Sequence, residues 1–102
     1  MTQNLKNKIS VHAYNDAMEE YSKIPWKYQP KRLRSCNAYV YATDNYFILI
    51  SYNTVVAVLN RNSGIGYDVL RYVYGYTATS AQHIYKFFND YNAVQTLRYY
   101  PN

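Results

Sequence analysis

The sequence predicts an α+β domain: an N-terminal helix, an antiparallel meander of about four strands, and a C-terminal helix packed on the sheet. Three observations carry this expectation. Apolar residues recur at helical spacing near each end (Tyr14, Ala17, Met18 and Tyr21; then Ala81, Ile84, Tyr85, Phe88 and Tyr91). β-Branched and aromatic residues dominate the middle, and turn formers interrupt that middle at short intervals. A length of 102 residues suits one core and one domain.

Residues 1–10 read as a flexible leader, because Asn, Gln and Lys dominate it and leave little apolar surface to bury; the folded domain spans 11–102. From about Val11 the helical pattern sets in, with Asn15, Asp16, Glu19 and Glu20 on the polar side. The helix should stop before Pro25, whose ring disfavours helical backbone at Ile24 and lacks an N–H donor. Pro25 to Ser35 then reads as a basic linker.

Strands are expected over Cys36–Ala42, Tyr46–Tyr52, Val55–Asn60 and Ile65 to about Tyr74. Thr43-Asp44-Asn45, Asn53-Thr54 and Arg61-Asn62-Ser63-Gly64 supply the turns, and such short connections join antiparallel neighbours. The second and third strands are apolar on both faces, with Ile48 and Ile50 on one side of the pleat and Phe47 and Leu49 on the other. They require cover twice over, from helices on one face and from tyrosines, the basic linker or a second subunit on the other. A homodimer is one answer to that need. Thr79-Ser80-Ala81-Gln82 has the spacing of a capping box and predicts a helix from Ser80 to about Asp90. Gln95 to Tyr100 is a last strand or an extended tail.

Net charge is +5, and the excess lies in the first third: residues 1–34 hold seven Lys/Arg against three Asp/Glu, the remainder four against three. The densest run, Lys27 to Arg34, contains Lys27, Tyr28, Lys31, Arg32 and Arg34, and no carboxylate stands between Ile24 and Thr43. That run is a candidate contact for something acidic.

Several chemistries lose support on inspection. Cys36 is the only cysteine, so the chain forms no internal disulfide and no thiolate cluster, which points to a reducing, cytoplasmic setting. The apolar stretches Tyr46–Ile50 and Val55–Leu59 are too short to span a bilayer, and no membrane partner is expected. His12 and His83 lie on different elements with no carboxylate at ligand spacing, so no metal site and no cofactor are expected. Gly64-Ile65-Gly66 lacks the third glycine and the following helix of a phosphate loop. Cys36 reads as a structural thiol. His83 reads as a helix histidine bonded to a carbonyl or to the Tyr76 hydroxyl. The enzymatic alternative joins His83 to His12, Lys86 and a tyrosine as a metal-independent ribonuclease-like toxin, with general acid and base at one phosphate.

Binding is the stronger expectation. Fifteen tyrosines bring rigid contact area with a polar tip. Tyr72, Tyr74 and Tyr76 alternate at and just past the end of the expected fourth strand as a candidate aromatic row, which Tyr39 and Tyr41 would extend from a neighbouring strand. Nucleic acid is the alternative partner, with tyrosines stacking bases and the Lys27–Arg34 run meeting phosphates.

Ser51-Tyr52-Asn53-Thr54-Val55-Val56-Ala57, then Tyr76 and Thr79-Ser80-Ala81-Gln82-His83-Ile84 with Phe87 and Phe88, resembles a small family of phage and plasmid proteins of Gram-positive bacteria. The resemblance covers about residues 49–88, and Thr79-Ser80 stands where the pattern has two threonines. It implies a non-enzymatic host-interaction protein. The concrete form of that role is an anti-CRISPR-like inhibitor, binding a CRISPR effector or another defence protein of the bacterial cytoplasm.

Overall fold

A computed structural model of the chain describes residues 3–24 and 30–101. Along the chain run α1 (Gln3–Tyr21), β1 (Lys31–Arg32), β2 (Ala38–Ala42), β3 (Tyr46–Ser51), β4 (Thr54–Asn60), β5 (Ile65–Asp68), α2 (Leu70–Val73), α3 (Ala78–Asp90) and β6 (Gln95–Arg98). The class is α+β. The sheet has six strands in sequential order, antiparallel throughout except that β6 pairs parallel to β5. A parallel neighbour needs a crossover, and α2 and α3 provide it.

β3 and β4 are apolar on both faces because a helix covers each face. Leu49, Val56 and Leu59 pack with Leu70, Ile84 and Phe87 on the α3 side. Ile48, Val55 and Val58 pack with Ala13 and Ala17 of α1 on the other. Thus α1 fills the place left open to tyrosines, the basic linker or a second subunit. The β3–β4 register slips between Leu49 and Ile50, which leaves Val56 as the extra residue. Val56 and Ala57 consequently both face the α3 core, where strict alternation would part them. Burying a side chain of the size of Phe87, which is fully enclosed, contributes about 1.5–3 kcal/mol.

The structure corrects five expectations. α1 begins at Gln3, so most of the expected flexible leader is helical. Its buried stripe continues through Asn7 and Ser10, whose polarity hid it from a hydrophobic reading. The end of the basic linker is not a linker: Lys31 and Arg32 form an edge strand on β2, and Leu33 is buried. The expected fourth strand ends early, at Asp68, because the Asp68 carboxylate accepts the Leu70 N–H at 3.1 Å and turns the chain into α2. The β3–β4 turn is Tyr52-Asn53, both left-handed (φ 50° and 67°), the backbone of a tight two-residue hairpin. Finally, α3 is capped by Thr77, two residues before the expected Thr79. The Thr77 side chain accepts the Ser80 N–H at 3.2 Å, and Gly75 (φ 106°) turns the chain between α2 and this cap.

Candidate functional site

Two adjoining features stand out on the surface: a row of exposed tyrosines around α2, and a hydroxyl-lined pocket at the start of α3. Tyr72, Tyr74 and Tyr76 are 43%, 71% and 57% exposed, yet they do not lie on a strand as the alternation suggested. Tyr72 belongs to α2, Tyr74 ends it, and Tyr76 follows. Tyr72 packs edge-on against Tyr14 of α1 (5.8 Å between ring centres) and tilted against Tyr99 (5.0 Å). Burial, then the nearby Tyr72 hydroxyl, pushes the Tyr14 hydroxyl above its ordinary pKa. Arg71 stacks over Tyr76 at 4.8 Å and reaches the Tyr100 ring at 5.8 Å. Arg98 also approaches Tyr100, at 5.8 Å, and its Nε donates to Asp68 at 3.1 Å.

Tyr74 leads into the second feature. A cavity of about 270 Å³ is rimmed by Tyr52 and Tyr74, carries the hydroxyls of Ser51, Thr54, Thr77, Thr79 and Ser80, and has Val56 and Leu70 as apolar lining. Because Thr77 caps the helix, Thr79 sits in the first turn of α3 and lines this cavity. Behind the lining, Ser51 Oγ shares a hydrogen bond of 2.9 Å with His83 Nδ1 and another of 3.0 Å with Ser80 Oγ. Tyr52 stacks on the His83 ring at 5.8 Å. Burial first, and Lys86 second, depress the His83 pKa below its ordinary value, so the ring is neutral near pH 7. The partner of His83 is therefore the Ser51 hydroxyl, in place of a carbonyl or the Tyr76 hydroxyl.

The remaining expected site residues are dispersed. Lys27 and Tyr28 lie outside the described residues. Lys31 and Arg32 are exposed on the edge strand β1, whereas the tyrosine row lies on and beyond α2, which packs on β4, so the basic run and the tyrosine row are separate. Arg32 Nε donates to the Cys36 carbonyl at 2.9 Å. Arg34 forms a two-pronged pair with Asp90 at 2.6 and 2.9 Å, which holds the Asp90 carboxyl below the usual carboxylate range. Tyr39 stands opposite Arg32 in the β1–β2 register, and Tyr41 packs against Tyr21 at 5.1 Å, so neither joins the α2 row. His12 is exposed beside Asp16 on α1, on the other face of the sheet from His83, and the ribonuclease set is not assembled. The half-buried Cys36 Sγ meets Lys86 Nζ at 3.6 Å.

Arg71, Tyr100 and Ser51 were not among the expected site residues; Ser51 entered only as the first residue of the Ser51–Ala57 motif. Arg71 is an ordinary surface arginine until its ring partners are known, and Ser51 is one polar residue at a strand end. The signal available for the pocket was the pairing of the Ser51–Thr54 hairpin with the Thr79–His83 segment, which the fold brings together. Comparison of the chain with protein-family models, with curated proteins and with solved structures found no match.

Proposed function

We propose that this protein acts without catalysis, by binding a host protein through the face built from Tyr72, Tyr74 and Tyr76. The observation that supports this is the exposure of those rings beside Arg71, whose guanidinium lies over the rings of Tyr76 and Tyr100. Exposed tyrosines and arginines of this kind supply contact area at little entropic cost, and they anchor protein interfaces. Asp68 offsets Arg98, so the face carries little net charge; a phosphate backbone, which gains affinity through many neutralised charges, suits it poorly. The resemblance of residues 49–88 to phage and plasmid proteins supplies the setting. In it the protein is an anti-CRISPR-like inhibitor that occupies a surface of a bacterial defence nuclease in the cytoplasm.

The basic edge motivates a second reading. Lys31 and Arg32 are exposed beside Tyr39, an arrangement suited to phosphates and one stacked base.

Affinity capture from a Gram-positive lysate, with the wild type and the Tyr74→Ala/Tyr76→Ala variant compared, tests the first reading. A protein complex that survives high salt and is lost in the folded variant is the expected result. Oligonucleotide binding that falls steeply with salt and is abolished by charge reversal at Lys31 and Arg32 would favour the second reading instead.

A further inference from the structure

We infer that Arg71 is a preformed carboxylate clamp, receiving one aspartate or glutamate side chain from a segment of the partner protein. This rests on reading the tyrosine face as the binding surface. The starting point is how each arginine spends its N–H donors. Arg32 donates to the Cys36 carbonyl, Arg34 to Asp90, Arg61 to the Thr43 carbonyl and Arg98 to Asp68. Arg71, among the described residues, makes no hydrogen bond and no ion pair. Its contacts are the rings of Tyr76 and Tyr100, centred 4.8 and 5.8 Å from its Cζ, and neither is a hydrogen bond from its N–H donors.

Arg71 is thus half-buried and oriented by two rings, with donors still free. A guanidinium in this state matches a carboxylate in a two-pronged pair, and its stacking reduces the freedom lost when that pair forms. The occupant follows from the charges around it. The neighbouring cation, Arg98, is already paired with Asp68, and the Asp68 carboxylate opposes a run of phosphates. Arg71, the one arginine without a carboxylate or carbonyl partner among the described residues, fits one carboxylate on a peptide, whereas a polyanion requires several cations. Tyr74, three residues on, leads to the uncharged hydroxyl-lined pocket, which suits a neutral side chain of the same segment.

The full chain is applied to an array of random-sequence peptides, and the peptides it retains are remeasured in solution by fluorescence anisotropy. Retained peptides are expected to be enriched in Asp or Glu. Replacing that residue by its amide should weaken binding about tenfold or more, and Arg71→Gln should do the same, as loss of a charge-assisted pair implies. Arg71→Lys should restore only part, because an ammonium is a point charge without the fork. Absence of any retained peptide, no acidic enrichment, equal binding of the amide peptides, or tighter binding of an oligothymidylate would overturn the proposal. Should Arg71→Gln fail to fold by circular dichroism, the amide peptides still decide. If Tyr74→Ala/Tyr76→Ala abolishes partner capture while Arg71→Gln does not, the face stands and the clamp falls; if neither affects capture, both fall.

Discussion

The side-chain amide of Asn7 pairs with both backbone groups of Tyr100, donating Nδ2–H to its carbonyl at 2.5 Å and accepting its N–H through Oδ1 at 3.0 Å. The first helix is thereby tied to the chain just beyond β6, across 93 positions of sequence. Asn7 is itself buried, and α1 packs along β5 and β6. Asn7→Ala leaves both Tyr100 groups without this partner and should cost about 1–3 kcal/mol. Urea unfolding measures this, and a change below 0.5 kcal/mol, the ordinary effect of a surface substitution, would refute the tie.

The two threonines at the start of α3 should respond differently. Thr77→Ala removes the side-chain acceptor for the Ser80 N–H and should destabilise the domain by about 1 kcal/mol. Thr79→Ala removes a pocket hydroxyl and should stay within about 0.5 kcal/mol. Thermal melts of the two variants side by side decide which threonine is the cap.

Gly66 on β5 lies directly under Phe88, and a Cβ there would approach Phe88 Cε1 to 2.5 Å. Gly66→Ala should therefore displace the Phe88 ring from α3's contact with the sheet and cost about 1–3 kcal/mol. An unchanged urea midpoint would mean that the ring moves aside freely.

Stability should fall as pH drops below the ordinary histidine range. The folded-state pKa of His83 lies below its unfolded value, so the unfolded chain takes the proton first; the contribution is complete above about pH 6.5 and is lost as pH falls toward the folded value. His83→Gln should flatten the slope of the urea midpoint in this window. Two depressed carboxyls act lower down. Burial alone would raise Glu20, but hydrogen bonds from Thr43 and Asn45 outweigh it, and Arg34 depresses Asp90. Their contributions are present above the ordinary carboxylate pKa and disappear below it, so they leave the histidine window to His83.

Much of the architecture was legible because it depends on local periodicity. The stripe Tyr14, Ala17, Met18 and Tyr21 and the doubly apolar β3 and β4 express which face of an element must be buried, and sequence spacing records that; the stop before Pro25 follows from proline's backbone restriction. On α3 the spacing predicted the helix but only part of its buried face, since Tyr85 is 71% exposed while Phe87 and His83 are buried. Where the buried face is polar, spacing is silent, which is why the extension of α1 through Asn7 and Ser10 was missed. Asp68 turning the chain into α2 was missed for a related reason: one side chain overrode the β-branched and aromatic preference of Val69 to Tyr74.

The tyrosine-rich composition and the class of fold were thus determined by the sequence itself. Which tyrosines are exposed, and which arginine keeps its donors, only the tertiary structure decided. Arg34 meets Asp90 across 56 positions and Arg98 meets Asp68 across 30, while Ser51 reaches His83 across 32. A hydrogen bond depends on distance and direction in space, and no local pattern encodes a partner that the fold brings from another element. Arg71 differs from the other arginines only in that none of the described carboxylates and carbonyls was brought to it.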